Sequence, residues 1–114
     1  EIPGVAPLGV QPDATHAYHL YVVRLDLELL GQDRAAIFAA LRAEGIGVNV
    51  HYIPVHMHPF YQRQFGTRTG LCPAAEAAYE EILSLPMFPR MSDEDAHAVV
   101  SAFSKIVCAP HLMQ

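Results

Sequence analysis

The stretch His19–Leu27, HLYVVRLDL, decides the fold class of this chain. Leu20 and Val22 share one face of this run, and Val23 and Leu25 share the other. Alternation of this kind is typical of a β-strand, and apolar residues on both faces predict burial on both sides. The sequence therefore predicts a strand inside a sheet that other elements cover.

Directly after this strand, the sequence predicts a helix. Asp33 is a suitable N-cap, and Gly45 suits the left-handed position that ends a helix begun there. The predicted helix runs to about Glu44. Its apolar stripe consists of Ile37, Phe38 and Leu41. Beyond it, Val48–Tyr52, VNVHY, is a candidate for a second and shorter strand.

The second half of the chain contains two more helix signals. Pro73 fits the first turn of a helix that is predicted to run to about Leu83. Ser92 and Asp95 resemble a capping box, which begins a further helix. Between these two, the apolar run 84–89 is interrupted by prolines, as in a short edge strand or an extended segment. The positions predicted to face inward are Ala75, Ala78, Tyr79 and Ile82 on the first helix, and Ala96, Val99, Val100, Phe103, Ile106 and Val107 on the second.

The order of these elements predicts an α/β fold, a small sheet with helices packed on it. Residues 1–15 contain Pro3, Pro7 and Pro12, which remove backbone donors and fix φ. This segment is therefore predicted to be a linker or an extended arm. Residues 16–114 then form one domain, the natural number for a chain of 114 residues.

Composition excludes several classes of function. The net charge is −5 and no cluster of Lys and Arg occurs, so nucleic acid is not an expected partner. No apolar run approaches the roughly 20 residues of a membrane span, and no signal peptide pattern is present, so a cytoplasmic location is expected. Cys72 and Cys108 are expected to be unpaired thiols, with one disulfide as the alternative. Charged residues make up only 17%, below the roughly 25% of an average domain, which suggests that a partner domain or subunit covers part of the surface.

Side chains capable of chemistry are densest in residues 49–61, NVHYIPVHMHPFY. Three histidines and two tyrosines lie here at the end of the predicted second strand and in the loop after it. Ends of strands are where α/β folds place ligand sites. Tyrosine stacks on a sugar or a base and offers a hydroxyl, while histidine donates to sugar or phosphate oxygens. A short turn is predicted near residues 60–65.

Other interpretations of these residues remain open. His51, His56 and His58 are good zinc ligands in type, but their spacing matches no common metal motif and no carboxylate or cysteine lies nearby in sequence. Local packing or hydrogen bonding of the histidines is the simpler interpretation. A nucleophile at Cys72, activated by one of these histidines, is a weaker one. The adjacent acidic pairs, Glu80 with Glu81 and Glu94 with Asp95, do not face each other on a helix and are expected to be solvated.

Several motifs in fixed order resemble the C-terminal domain of the DegT/DnrJ/StrS family. These aminotransferases use pyridoxal phosphate (PLP) and act on nucleotide-linked keto sugars. The resemblance extends from about residue 16 to residue 107. The motifs are GIG at 45–47, HYIPVH at 51–56, PFY at 59–61, PAAE at 73–76, LSLPMFP at 83–89 and SDED at 92–95.

The resemblance implies the small domain of a fold-type-I aminotransferase. PLP, its Schiff-base lysine and most of the homodimer contact would belong to a large N-terminal domain that this chain lacks. The run HYIP with HPFYQRQFG is most similar to the pseudaminic-acid branch of the family. That branch transfers an amino group from glutamate to a nucleotide-linked 4-keto-6-deoxy sugar.

The resemblance also implies a set of residues that bind substrate. His51 would lie nearest the reacting sugar or the rim of the cofactor, and Tyr52, Ile53 and Pro54 would help to bind the sugar nucleotide, with Tyr61 as a weaker candidate. No catalytic, cofactor-binding or metal-binding residue is expected in the chain. Its only lysine, Lys105, is predicted to face solvent, so the fragment alone is expected to bind no PLP and to be inactive. The alternative is a stand-alone binding or interaction module with a histidine-rich loop.

Overall fold

A computed structural model describes residues 1–108 and shows a three-stranded antiparallel sheet with helices packed on it. The strands are β1 (Val5–Pro7), β2 (Tyr21–Leu25) and β3 (Ile82–Leu85), in the order β1-β2-β3. The helices are α1 (Leu27–Leu30), α2 (Arg34–Ala43), α3 (Pro59–Phe65), α4 (Pro73–Glu81) and α5 (Asp93–Cys108), with a 3-10 turn at Val55–Met57. The predicted fold class, a small sheet with helices in an α/β fold, is confirmed.

One face of the sheet carries the hydrophobic core. Val23 and Leu25 on β2 are buried, whereas Arg24, on the opposite face of the same strand, is exposed and pairs with Glu81. The expectation that β2 is buried on both sides is therefore wrong for the Arg24 face, and an antiparallel sheet tolerates this because one of its faces can be solvated. The core consists of Val23, Leu25, Leu30, Ile37, Leu41, Val48, Leu83 and Phe103.

Local capping signals place the two long helices. The Asp33 carboxylate accepts from the Ala36 N–H at 2.7 Å and begins α2, and Gly45 has the expected left-handed backbone at φ +82°. Ser92 and Asp95 form the predicted capping box, because the Asp95 N–H donates to Ser92 Oγ (3.1 Å) and the Ser92 N–H donates to Asp95 Oδ2 (2.9 Å). Of the six positions on α5 that were predicted to face inward, Val99 and Phe103 are buried. Ala96 and Val100, predicted to face inward, are exposed.

The middle of the chain differs from the sequence prediction. The strand expected at 48–52 is reduced to one bridge, in which Asn49 and Ser84 exchange hydrogen bonds of 3.1 and 2.8 Å. The helix from Pro73 ends at Glu81 and not at Leu83, because Ile82 already pairs with β2. As a result the short strand begins at Ile82, two residues before the predicted run, and ends at Leu85. On α4, Ala75 is exposed, and the turn expected near 60–65 is the helix α3.

The N-terminal segment joins the sheet. Residues 1–15, expected to form a linker or an extended arm, contain the edge strand β1, whose Val5 lies opposite Leu25. Gly4 has φ +79° and approaches α1 so closely that a Cβ atom there would lie 2.6 Å from Leu30. Only glycine fits this turn without displacing Leu30. No helix within residues 1–108 has the length and apolar character that crossing a bilayer demands.

Candidate functional site

The candidate site begins where the chain leaves the edge of β3. The backbone bridge between Asn49 and Ser84 fixes the start of this segment, and the side chain of Val48 just before it is buried. Beyond Asn49 there is no further pairing with the sheet until the 3-10 turn at Val55–Met57. Residues 50–54 therefore form an irregular segment, in which successive side chains need not point to opposite faces as they do in a strand.

His51 is anchored to the sheet through one ring nitrogen. Its Nδ1 lies 2.9 Å from Oγ of Ser84, a β3 residue that is only 3% exposed. The imidazole is half-buried, and within residues 1–108 no hydrogen-bond partner occupies Nε2. Such a ring is fixed in orientation while its second nitrogen is left for a ligand.

Tyr52 lies beside His51 and is the more exposed of the two. The residue is 68% exposed, and its ring meets the imidazole edge-on with centroids 4.6 Å apart and an interplanar angle of 79°. Alternation along a strand would place the two side chains on opposite faces, but the pairing with the sheet ends at Asn49, so this rule does not apply to them. Ile53 and Pro54, the next two residues of the predicted set, are half-buried. The first four predicted residues are consecutive in the sequence, and the structure places them in an irregular segment between the Asn49 bridge and the 3-10 turn.

Tyr61, the fifth predicted residue, belongs to a different cluster. On α3 its ring stacks on Phe65 at 5.9 Å and meets Phe60 edge-on at 5.3 Å. These three residues form the aromatic cluster of α3, and all three are exposed. Within the described residues, the ring contacts of Tyr61 are with Phe60 and Phe65, not with His51 or Tyr52.

His56 has a structural partner that sequence reasoning missed. His56 is buried, and its Nε2 lies 2.7 Å from Oε1 of Glu76 on α4. Local hydrogen bonding is therefore what the structure shows for His56, while His58 is exposed at the start of α3 with no side-chain capping bond. Across residues 1–108, no group of three His, Cys, Asp or Glu side chains is arranged to hold a metal ion.

Glu76 collects several donors besides His56. Its two carboxylate oxygens accept from the Gly70 N–H at 2.8 and 2.9 Å, and Oε1 also accepts from the Cys72 N–H at 3.3 Å. Nearby, the Thr67 hydroxyl donates to the His56 carbonyl at 2.8 Å. The hydrogen bond with His56 is the main cause that holds the pKa of the Glu76 carboxyl below its ordinary value of 4.5, and the two backbone N–H groups act in the same direction. A buried histidine requires such a partner, but the sequence does not show that His56 is buried, and Glu76 lies 20 residues away along the chain.

The lowered pKa of Glu76 predicts a pH dependence of stability. In the unfolded chain this carboxyl titrates near 4.5, and in the folded chain it titrates lower. Its contribution to the free energy of unfolding is therefore fully present above pH 4.5 and is lost as the pH falls through the folded pKa. We expect the stability difference between the native chain and Glu76→Gln to shrink between pH 6 and pH 3, measured by urea unfolding at each pH. Glu80→Gln, an exposed neighbour on α4, is the control, and a difference that stays constant with pH contradicts the prediction.

The free thiols and charged pairs elsewhere do not form a second site. Cys72 and Cys108 are both exposed and unpaired. Cys72 precedes α4, but its side chain makes no capping bond, and the nearby imidazole of His56 is bonded to Glu76. One member of each acidic pair that was expected to be solvated makes a hydrogen bond. The Glu81 carboxylate accepts from Arg24 Nε at 3.0 Å, and the Asp95 carboxylate accepts from the Ser92 N–H in the capping box. These contacts support the fold and leave the segment around His51 and Tyr52 as the candidate site.

The fold is that of a domain found in sugar aminotransferases that depend on PLP. DesV of S. venezuelae, solved in complex with a ketimine intermediate, is 30% identical with a TM-score of 0.79, over 93% of this chain and 27% of that one. PseC of Helicobacter pylori, an aminotransferase involved in the biosynthesis of pseudoaminic acid, is 27% identical with a TM-score of 0.73, over 90% of this chain and 28% of that one.

Sequence comparison then gives the family. A profile of the DegT/DnrJ/EryC1/StrS aminotransferase family matches residues 1–104, and the chain belongs to this family. The spore coat polysaccharide biosynthesis protein SpsC of Bacillus subtilis (strain 168) is 44% identical over 108 residues, which are 94% of this chain and 28% of SpsC. The chain thus spans little more than a quarter of the length of the relatives that it matches.

The residues present in this chain do not fit a PLP site. PLP is held in such enzymes through a lysine amine, and Lys105 is the only lysine in the sequence. Its side chain is 68% exposed, as predicted, and its ammonium lies 2.7 Å from Oε1 of Glu44 on the outer surface of α5. A lysine that forms a Schiff base lies in a desolvated pocket, and the exposed side chain of Lys105 does not lie in one.

Proposed function

We propose that residues 16–114 are the C-terminal small domain of a PLP-dependent aminotransferase and contribute contacts to its substrate, with residues 1–15 as an extended arm that adds the edge strand β1 to its sheet. The observation that carries the proposal is the anchored His51 beside the exposed Tyr52. An exposed aromatic ring stacks on the apolar face of a sugar or a base, and its hydroxyl reaches polar groups at the rim. The Tyr52–Pro54 backbone adds donors and acceptors next to these rings.

The proposed reaction is transfer of an amino group from glutamate to a nucleotide-linked 4-keto-6-deoxy sugar of the pseudaminic-acid type. The likeness to PseC supports this substrate, together with the HYIP and HPFYQRQFG runs. The likeness to SpsC supports a role in building surface polysaccharide more generally. The intact protein would be a cytoplasmic homodimer.

The proposal divides the work between this chain and the rest of a longer protein. PLP supplies the carrier for the amino group when it is bound, and the residues that hold it lie outside this chain. His51 would hydrogen-bond the sugar or the rim of the cofactor through Nε2, because Nδ1 is already bonded to Ser84. A histidine fixed in this manner orients a ligand without having to exchange a proton with it.

The isolated chain is expected to show no transamination and no absorbance in the internal-aldimine band when PLP is added. The physical reason is the absence of a desolvated amine, since Lys105 is exposed and paired with Glu44. The measurement is an absorbance titration with PLP, followed by an assay of amine transfer from glutamate to a nucleotide-linked 4-keto-6-deoxy sugar. The same assay on a longer protein that carries this domain tests the proposed function.

Lys105→Arg is the matched control for this experiment, because it keeps the charge and the pairing with Glu44 but removes the amine. Absorbance that survives in this variant reflects binding at other groups. Turnover by the 114-residue chain that disappears in Lys105→Arg would overturn the proposed division of work. Absence of amine transfer by the longer protein, together with binding of an unrelated ligand by the isolated chain, would favour the stand-alone binding module.

A further inference from the structure

The segment that carries Tyr52 is held at two points, and both belong to one structural unit. Upstream, the backbone of Asn49 and the imidazole of His51 bond to Ser84 on β3. Downstream, the imidazole of His56 bonds to Glu76 on α4. Because α4 runs directly into β3, the two anchors are joined through Glu81 and Ile82 with no intervening loop. Residues 52–54 therefore span two fixed points whose separation the α4–β3 unit sets.

The downstream anchor is a directional contact in a mostly buried setting. The side chains of His56 and Glu76 are only 10% and 17% exposed, and their atoms Nε2 and Oε1 lie 2.7 Å apart. The Gly70 N–H bonds to the same carboxylate, and the Thr67 hydroxyl bonds to the His56 carbonyl. Hydrogen bonds fix angles as well as distances, which apolar packing of similar volume does not do.

The covalent path from this anchor to Tyr52 is short and stiff. Only Ile53, Pro54 and Val55 lie between Tyr52 and His56. Pro54 has a fixed φ, and the Met57 N–H donates to its carbonyl at 2.9 Å to form the 3-10 turn. A displacement of His56 is therefore transmitted to Tyr52 and is not absorbed by a flexible linker.

We propose that His56 and Glu76 are positioning residues, which hold the Tyr52–Pro54 segment in the geometry that binds the nucleotide sugar. This inference rests on the proposed function, because it assigns the ligand of Tyr52 from it. Neither side chain touches the ligand. Glu76 acts through His56, and His56 acts through the backbone of residues 53–55.

The first test measures the geometry alone, on the 114-residue chain. Glu76→Ala removes the acceptor for His56, Gly70 and Cys72, and amide hydrogen exchange is followed at Met57 and His58, whose N–H groups donate to the carbonyls of Pro54 and Val55 at 2.9 and 3.1 Å. We expect exchange at these two amides to become at least about tenfold faster, because local opening becomes easier when the anchor is lost.

Two further variants make this exchange test specific. Glu76→Gln keeps an amide oxygen as acceptor and is expected to restore most of the protection. Glu80→Ala, an exposed residue on the same helix, is the matched control and should leave exchange unchanged. If Glu76→Ala fails to fold, Thr67→Ala removes one bond of the same anchor and is expected to produce a smaller acceleration. Unchanged exchange at Met57 and His58 in a folded Glu76→Ala chain overturns the inference.

The second test measures substrate binding in the longer enzyme. Glu76→Ala is expected to raise KM for the nucleotide sugar by about 10- to 100-fold, since misplacement of a binding group by about 1 Å has effects of this size. KM for glutamate and the affinity for PLP should stay within about twofold, a split that general destabilisation of the fold would not produce.

The outcomes separate this inference from the proposed function. Faster exchange with a selective rise in the KM of the nucleotide sugar supports both. Faster exchange with equal changes in all three constants overturns the positioning role and leaves the proposed function standing. Absence of amine transfer by the native longer protein overturns the proposed function, and with it the assignment of the ligand, while the exchange data still report whether His56 and Glu76 hold the segment.

Discussion

Phe103→Ala is expected to lower the free energy of unfolding of this chain by about 3–5 kcal/mol, which is a large part of the stability of a small domain. Phe103 is 1% exposed and is among the largest fully buried side chains. It lies on α5, which packs against α2, and it joins a core that includes Ile37 and Leu41 of α2 and Leu83 of β3. Truncation removes apolar burial and also leaves a cavity that the sheet can fill only partly.

Urea unfolding followed by circular dichroism measures this effect. Val100→Ala is the matched control, because it also truncates an apolar side chain of α5 but at a position that is 52% exposed. The control should change the free energy of unfolding by no more than about 0.5 kcal/mol. If Phe103→Ala unfolds the chain outright, Phe103→Leu gives a smaller cavity and a measurable midpoint. Equal effects at positions 100 and 103 would contradict the packing of α5 described above.

Tyr52→Ala in the longer enzyme is expected to weaken binding of the nucleotide sugar by about 1–3 kcal/mol, which is roughly 5- to 150-fold in KM. The ring of this exposed residue is free to stack, and its position beside His51 places it on the anchored segment. Because Tyr52 contributes little to the core of the free domain, stability should be nearly unchanged. Steady-state kinetics with the nucleotide sugar as the varied substrate measure the change.

Tyr52→Phe is the control that separates stacking from hydrogen bonding. It keeps the ring and removes only the hydroxyl, so it should retain most of the affinity if stacking dominates. Loss of affinity for PLP in Tyr52→Ala, with KM for the sugar unchanged, would show that this segment faces the cofactor and not the substrate.

Features with local causes were predictable from the sequence. The start of α2 at Asp33, its end near Gly45 and the capping box at Ser92 and Asp95 each depend on residues close in the chain, and the structure confirms all of them. The solvent exposure of Lys105 followed from helical spacing in the same manner. In such cases the hydrogen-bond partners are at most a few residues away, so composition and spacing suffice.

Features that depend on distant pairing were not predictable. β1 forms because Val5 pairs with Leu25 on β2. The helix α4 ends earlier than predicted because Ile82 pairs with Arg24 on the same strand. One face of the sheet, that of Arg24, is solvated. Which face is covered depends on how the strands and helices pack, and the alternation of residues within one strand does not show this. At the candidate site, the residues came from family resemblance, and their roles stay predictions. The contacts of His51 with Ser84 and of His56 with Glu76 join positions 33 and 20 residues apart.

The hydrogen bond between His56 and Glu76 joins the two ends of the segment 56–76. This segment should tolerate changes of length better than the parts of the chain that form the core. Among the described residues, no member of the buried core lies between Val48 and Leu83, and α3 packs mainly on the 3-10 turn beside it. Doubling the length of such an excursion adds only about 0.6 kcal/mol of closure entropy. Insertions or grafted peptides at residues 68–69, after α3 and between the Thr67 and Gly70 contacts, are therefore expected to be accommodated without repacking the interior. This stretch is the place where a designer can alter the surface of the domain while its scaffold is kept.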